Sequence, residues 1–255
     1  MLRHGFARQA LGRGRNATRE DDIYLRTCHK QGTFVLAMPE YDAFAKDFAR
    51  TRNTSWPEFE LLLPYLKKGG RVLDLGCGNG RLRNFINKPT SQQVDESTSK
   101  KIIPDGNYFG MDISSELLNF AQKEFPRDHF FRGDFSKIFP FGGDTFDMVV
   151  AIASFHHLLS KPDQMRFLAE CHRVLKSGGV LFLTTWKLPK KFFWENILHG
   201  RLKNWIIPFG VEKSPRTYRK TSPKGLERLF RKTDISPLKI YEFRNRNFIA
   251  IGRKS

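Results

Sequence analysis

Residues 71–82 read RVLDLGCGNGRL: an apolar run that breaks into three alternate glycines, Gly76, Gly78 and Gly80, with an acid, Asp74, two residues ahead of the first. A short, unbroken apolar run is the pattern of a strand buried on both faces. A glycine turn straight after it brings bare backbone close to whatever binds there. The rest of the chain keeps this strand-then-helix rhythm. Strands are predicted over NYFGMDI, HFFRGDF, FDMVVAIAS and VLFLTTW. Helices are predicted over RLRNFIN, over SSELLNFAQKEF with Ser114 as N-cap, and over PDQMRFLAECHRVLKSGG closed by Gly178 and Gly179. A late helix, SPKGLERLFRK, has Ser222 as cap and Pro223 at its first position, and LKIYEF and NFIAIGR form a terminal hairpin across RNRN. Alternation of this kind specifies an α/β chain, a doubly wound and mostly parallel sheet covered on both faces, with an antiparallel C-terminal hairpin.

Upstream, Tyr41, Phe44, Ala45 and Phe48 share one helical face, and SWPEFELLLPYL gives a second short helix with Pro57 in its first turn. Residues 38–255 read as one domain. Residues 1–37, Arg-rich at their start, read as a disordered basic tail, with a mitochondrial transit peptide or an upstream mis-start as alternatives. Two segments break the rhythm. Residues 88–105 are polar and unpatterned, as in a surface insertion, and residues 187–221 mix nine Lys/Arg with Phe192, Phe193, Trp194, Trp205 and Phe209.

The net charge is +18, and residues 187–255 hold 18 Lys/Arg against 5 Asp/Glu. An excess concentrated in one quarter of a chain is the footprint of a polyanion partner, with a merely solvated basic surface as the alternative. The three cysteines, Cys28, Cys77 and Cys171, form no CxxC, which points to a reducing, cytoplasmic setting without structural zinc or disulfides.

The glycine turn narrows the ligand. Dinucleotide folds use G-x-G-x-x-G and seat a pyrophosphate on the following helix. Here the third glycine of that pattern is Arg81, and Asp74 repels phosphate. An amine-bearing ligand without phosphate suits the acid, and S-adenosylmethionine is one. D-x-G-x-G-x-G after an apolar strand resembles the first motif of the class I S-adenosylmethionine-dependent methyltransferases, whose fold is a Rossmann-like seven-stranded sheet. The resemblance assigns the cofactor to Asp74, Gly76, Cys77, Gly78 and Gly80. It adds Asp112, with Ile113, for the ribose hydroxyls, Asp134 and Phe135 for the adenine, and Ala153 at the end of the fourth strand. Cys77 itself reads as a small buried residue and not a nucleophile.

Within that class, YDAFAKDFARTRNTSW, AIASFHHL and Trp186 resemble the enzymes that methylate the carboxymethyl group of tRNA wobble uridines. The likeness implies that Tyr41 and Arg52 contact the methionine end of the cofactor. It places His156, Trp186, Arg216 and Tyr218 at the transfer site, and implies tRNA and a small activating protein subunit as partners. Two adjacent histidines in a strand face opposite ways, so no metal pair is expected at His156 and His157. Three functions stay open: an RNA methyltransferase, a small-molecule O- or C-methyltransferase with 187–221 as a lid, and a non-catalytic RNA-binding protein.

Overall fold

Leu73 and Leu75 point to one side of the first strand and Val72 and Asp74 to the other, and all four are buried. Only a strand covered on both faces behaves this way, and the topology supplies the cover. The computed structural model describes residues 56–87, 94–95, 100–209 and 214–255. In chain order its elements are α1 (Glu58–Leu62), β1 (Val72–Leu75), α2 (Arg81–Asn87), β2 (Val94–Asp95), β3 (Lys100–Lys101), β4 (Tyr108–Asp112), α3 (Ser115–Glu124), β5 (His129–Arg132) and β6 (Phe146–Ala151). There follow α4 (Lys161–Val174), β7 (Leu175–Trp186), α5 (Phe193–Leu198), β8 (Asn204–Phe209), β9 (Ser214–Arg219), α6 (Pro223–Arg231), β10 (Ile235–Phe243) and β11 (Asn247–Lys254).

Seven strands form one sheet in the order β10-β11-β7-β6-β1-β4-β5. Pairings from β7 to β5 are parallel, and β11 joins β7 and β10 antiparallel. The connection from β1 leads outward to β4 and β5, and the chain then returns to β6 on the other flank of β1. Strand order reverses there, so a crevice opens beyond the carboxyl ends of β1 and β6, the place where open α/β sheets bind ligands. Leu73, Leu75, Met111, Val149 and Ala151 fill one core layer, and Val72, Tyr108, Met148, Val150 and Phe182 the other. Ser114, Ser160 and Ser222 cap α3, α4 and α6, each accepting a backbone N–H of the first turn. Among the described residues no helix is long and apolar enough to cross a membrane.

The sheet corrects one expectation. Gly178 and Gly179 do not close α4, which ends at Val174; Leu175 is fully buried and pairs with Phe146 as the first residue of β7. The strand register shifts just after that pair, and the two glycines lie in the irregular stretch. Gly178 takes a φ of +75°, and a Cβ on Gly179 would sit 2.8 Å from the Lys176 carbonyl oxygen.

Within the polar insertion 88–105, residues 94–95 and 100–101 pair as a two-residue antiparallel ribbon, while 88–93 and 96–99 lie outside the described residues. The C-terminal end of the insertion is tied down by Arg83 of α2. This guanidinium is wholly buried and donates to Asp128 at 2.6 Å, to the Ile103 carbonyl at 3.0 Å and to Asp105 at 3.0 Å. Removing one member of a buried pair strands the other charge in a low dielectric. Arg83→Ala is therefore expected to lower the free energy of unfolding in urea by about 3 to 5 kcal/mol. Asp105→Ala, at a part-exposed partner, should cost about 1 kcal/mol or less, and equal losses would refute the assignment.

Candidate cofactor and transfer site

The turn after β1 is shaped by contacts that only glycine permits. Gly76 has a φ of +79°, and a Cβ there would lie 2.3 Å from the Ser154 hydroxyl oxygen. That hydroxyl donates to the Leu75 carbonyl at 2.8 Å and so bolts the segment after β6 against the end of β1. On the other flank the amides of Gly76 and Cys77 donate to the Met111 carbonyl, at 2.7 and 3.2 Å. The Gly78 amide donates to Asp112 Oδ2 at 2.9 Å, and Asp112 Oδ1 accepts the Ser114 amide at 3.0 Å.

Beyond this turn lies a cavity of about 800 Å³. It is lined by Gly76, Cys77, Gly78 and Asp112, and by Trp56 and Glu58 together with Arg244, Arg246 and Asn247. The Arg81 guanidinium stacks 3.8 Å above the Trp56 ring, and Glu58 accepts from Asn247 Nδ2 at 2.6 Å. His156, His157, Trp186, Arg216 and Tyr218 also line the cavity, with Trp186 paired beside Asn247 in the sheet. The Tyr218 ring lies 5.1 Å from that of Trp186 and 5.3 and 5.4 Å from the two imidazoles.

The histidines are not in a strand. β6 ends at Ala151, Ala153 turns the backbone with a φ of +53°, and Phe155–His157 form a 3-10 turn. The Ala153 amide is held by the Thr184 hydroxyl at 2.8 Å. The two rings therefore share the cavity with centroids 4.6 Å apart, correcting the expectation of opposite faces. The Trp186 amide donates to His156 Nδ1 at 3.2 Å, which selects the neutral tautomer with hydrogen on Nε2. Burial, reinforced by His157, keeps the His156 pKa well below the usual histidine range. Burial and the Arg216 charge lower His157 to about 4. Both rings are neutral near pH 7. Among the described residues no group of three or more His, Cys, Asp or Glu is arranged to hold a metal.

Other expected residues stand elsewhere. Asp74 is only 4% exposed and lies beneath the turn, outside the cavity lining, its carboxylate taking the Tyr108 hydroxyl at 2.5 Å. Burial raises its pKa to about 7, against the Tyr108 hydrogen bond, with Asp112 adding to the rise. Burial likewise pushes the Cys77 thiol well above its ordinary value, so it is no thiolate nucleophile. Gly80, Ile113, Asp134 and Phe135 do not line the cavity either. The Asp134 carboxylate accepts the Ser136 amide at 2.8 Å, and the Phe135 ring packs edge-on against Phe167, 5.9 Å between centroids. Tyr41 and Arg52 lie outside the described residues. Sequence reasoning passed over Trp56, Glu58, Arg81, Arg244, Arg246 and Asn247 as cavity residues. RNRN carried only a hairpin pattern, and nothing local places it opposite a glycine turn far upstream.

The donor set fits S-adenosylmethionine. A glycine cradle that a single Cβ would fill, a carboxylate at the end of the second parallel strand, and a cavity within the roughly 300 to 1,000 Å³ of small-ligand sites suit an adenosyl amino acid.

Comparison with known proteins agrees. A methyltransferase-domain family model matches residues 73–183. The tRNA (carboxymethyluridine(34)-5-O)-methyltransferase of Arabidopsis thaliana is 26% identical over 181 residues, covering 69% of this chain but only 40% of that protein. A protein of Encephalitozoon cuniculi that carries a methyltransferase name is 32% identical over 183 residues, 70% of this chain and 76% of its own. The demethylmenaquinone methyltransferase of Thermotoga maritima is 28% identical over 182 residues, 71% and 72% of the two chains. Among solved structures, a methyltransferase in complex with the Haloferax volcanii Trm112 activator shares the fold, with a TM-score of 0.62 at 18% identity, over 85% of this chain and 96% of that one.

The raised Asp74 pKa has a measurable consequence. A carboxyl that moves from 3.8 unfolded to about 7 folded holds its proton more tightly in the folded state. Its contribution to stability is therefore best below about pH 4 and is lost as pH rises through about 7. His156 and His157, with lowered pKa values, act in the opposite sense, so the difference between variants isolates the acid. Asp74→Asn keeps an acceptor for Tyr108 and should gain about 3 kcal/mol on the native protein between about pH 5 and 7.5 in urea unfolding. A constant difference across that window would contradict the assignment.

Proposed function

The chain belongs to the S-adenosylmethionine-dependent methyltransferases, and we propose that it methylates RNA, at the carboxymethyl group of a modified wobble uridine in tRNA. Bound at the glycine turn, S-adenosylmethionine supplies a methyl group already activated on its sulfonium. The chain's own residues position the acceptor and exclude water. Arg216 offers a buried guanidinium to the acceptor carboxylate, and Trp186 and Tyr218 provide aromatic walls for a base. His156 offers an Nε2–H donor.

The observation that carries this reading is how poorly the transfer end is equipped as a base. His156 Nδ1 is occupied by the Trp186 amide, and His157 with a pKa of about 4 accepts a proton weakly at pH 7. A carboxylate acceptor needs no base, because it is already ionised at neutral pH. A hydroxyl or carbon acceptor needs one. The Arabidopsis relative's name and the basic C-terminal quarter support the same reading. It includes a small activating protein subunit, supported by the activator-bound Haloferax volcanii structure of this fold.

A second reading, methylation of a small quinone-like metabolite, is favoured by the match over 72% of the demethylmenaquinone methyltransferase. One assay separates them. Full-length protein with methyl-labelled S-adenosylmethionine, with and without co-expressed activator, is offered tRNA from cells lacking the protein and, separately, a small-molecule extract. The expected product is labelled tRNA whose label is released by mild alkali, as a methyl ester requires. Label confined to the extract would overturn the RNA reading. Arg216→Gln, which removes a charged hydrogen bond worth about 1.5 to 3 kcal/mol, should lower kcat/KM for tRNA by about 10- to 100-fold and leave cofactor affinity unchanged.

A further inference from the structure

A second cleft, of about 460 Å³, lies where α4, β9 and the start of α6 meet. Among the described residues six cations line it: Lys161, Lys203, Arg219, Lys220, Arg228 and Lys232. Among the described residues no Asp or Glu lines it. The acids on the same helices are engaged elsewhere, Asp163 with Arg166 at 3.0 Å, Glu170 with Arg173 at 2.6 Å and Glu227 with Arg231 at 2.9 Å. Among the described residues none of the six cations forms an ion pair. Gathering six like charges without a counterion is unfavourable unless an anion completes the site.

An independent observation points to a ligand that accepts hydrogen bonds. Gln164 also lines the cleft, is only 3% exposed, and its Nε2 has no hydrogen-bond partner. An unsatisfied buried amide costs about 1 to 3 kcal/mol, a cost relieved when an acceptor enters. Ser222 and Gly225, at the N-terminus of the nine-residue α6, line the same cleft and add the positive end of a helix dipole.

We propose that this cleft seats a phosphodiester group of the RNA substrate, apart from the cavity where the methyl group is transferred. The inference rests on the RNA reading above and names where the polynucleotide backbone is held. Continuity along β9 favours RNA over a free anion. Tyr218 lines the transfer cavity and the next residue, Arg219, lines the cleft, so one strand presents a base-stacking ring to one side and a phosphate ligand to the other. Arg219 is braced for this by donating to the Leu159 carbonyl and, at 3.4 Å, to Asn204 Oδ1. The Lys220 ammonium also lines the cleft and lies 5.3 Å from the Trp205 ring centroid.

The test is fluorescence anisotropy of labelled tRNA with the full-length protein over a series of salt concentrations. Lys161, Arg228 and Lys232 are exposed, so the triple change to Gln leaves the core intact. It should weaken tRNA binding at least tenfold and reduce the slope of log affinity against log salt by about 2, because each phosphate contact contributes about 0.7 to 0.9. Gln164→Met, which keeps volume and removes the neutral donor, should weaken binding severalfold and leave the slope unchanged. Both variants should bind S-adenosylhomocysteine like the native protein.

An unchanged tRNA slope in the triple variant, with native tRNA binding intact, overturns the cleft and leaves the RNA reading standing. Absence of salt-dependent tRNA binding in the native protein overturns both. In a parallel arm at fixed ionic strength, inorganic phosphate that binds the native protein but not the triple variant, with tRNA binding equal in the two, would assign the cleft to a free anion and overturn the proposal.

Discussion

The Asp112 carboxylate joins three elements that would otherwise be independent. It ends β4, accepts the Gly78 amide from the turn after β1, and accepts the Ser114 amide at the start of α3. Hydrogen bonds to a charged acceptor contribute about 1.5 to 3 kcal/mol each, more than an ordinary backbone bond. They form here because β1 and β4 run in register, Leu75 beside Met111, which brings the glycine turn within reach of the next strand's end. The turn is set before any ligand arrives, so little of the binding energy goes into ordering it.

The other flank is held by a different device. The Ser154 hydroxyl fills the space that a side chain at Gly76 would occupy, and Ala153 takes a backbone conformation that costs a non-glycine residue about 1 to 2 kcal/mol. The Thr184 hydroxyl on β7 stabilises that bend. Its result is to end β6 early and swing two histidines into one cavity. Strain stored at the end of a central strand thus sets the geometry of the transfer site.

What was legible in the residues, and what was not, divides along the range of the interactions. Strand β1, the glycine turn and the serine caps are local: each depends on the neighbours within a turn or so, and each appears where its pattern lies. The bend at Ala153 was hidden because alanine carries no mark of positive φ, so FDMVVAIAS read as one strand running up to the histidines. Gly178 and Gly179 looked like a helix stop, yet the pull of Leu175 into the buried sheet ended α4 sooner. The part of the cavity lined by Trp56, Glu58, Arg246 and Asn247 is the least local. Trp56 and Glu58 meet Arg246 and Asn247 only because β11 inserts antiparallel beside β7, a pairing that no short window of sequence contains.

The charge excess is equally a matter of placement. Arg216 turns into the transfer cavity, while Arg219 and five lysines and arginines from α4, α6 and the β8–β9 ribbon gather on another surface. On the proposed reading, a single basic segment so divides between recognising one reacting group and holding a backbone. All of this presupposes that the glycine turn and Asp112 grip an adenosyl amino acid, and calorimetric titration with S-adenosylhomocysteine tests that most directly. The native chain should bind one equivalent, and Asp112→Asn, less stable for the weakened amide bonds but still folded at the titration temperature, should bind at least tenfold more weakly. No saturable binding to the native chain, or equal binding to both, would contradict the account.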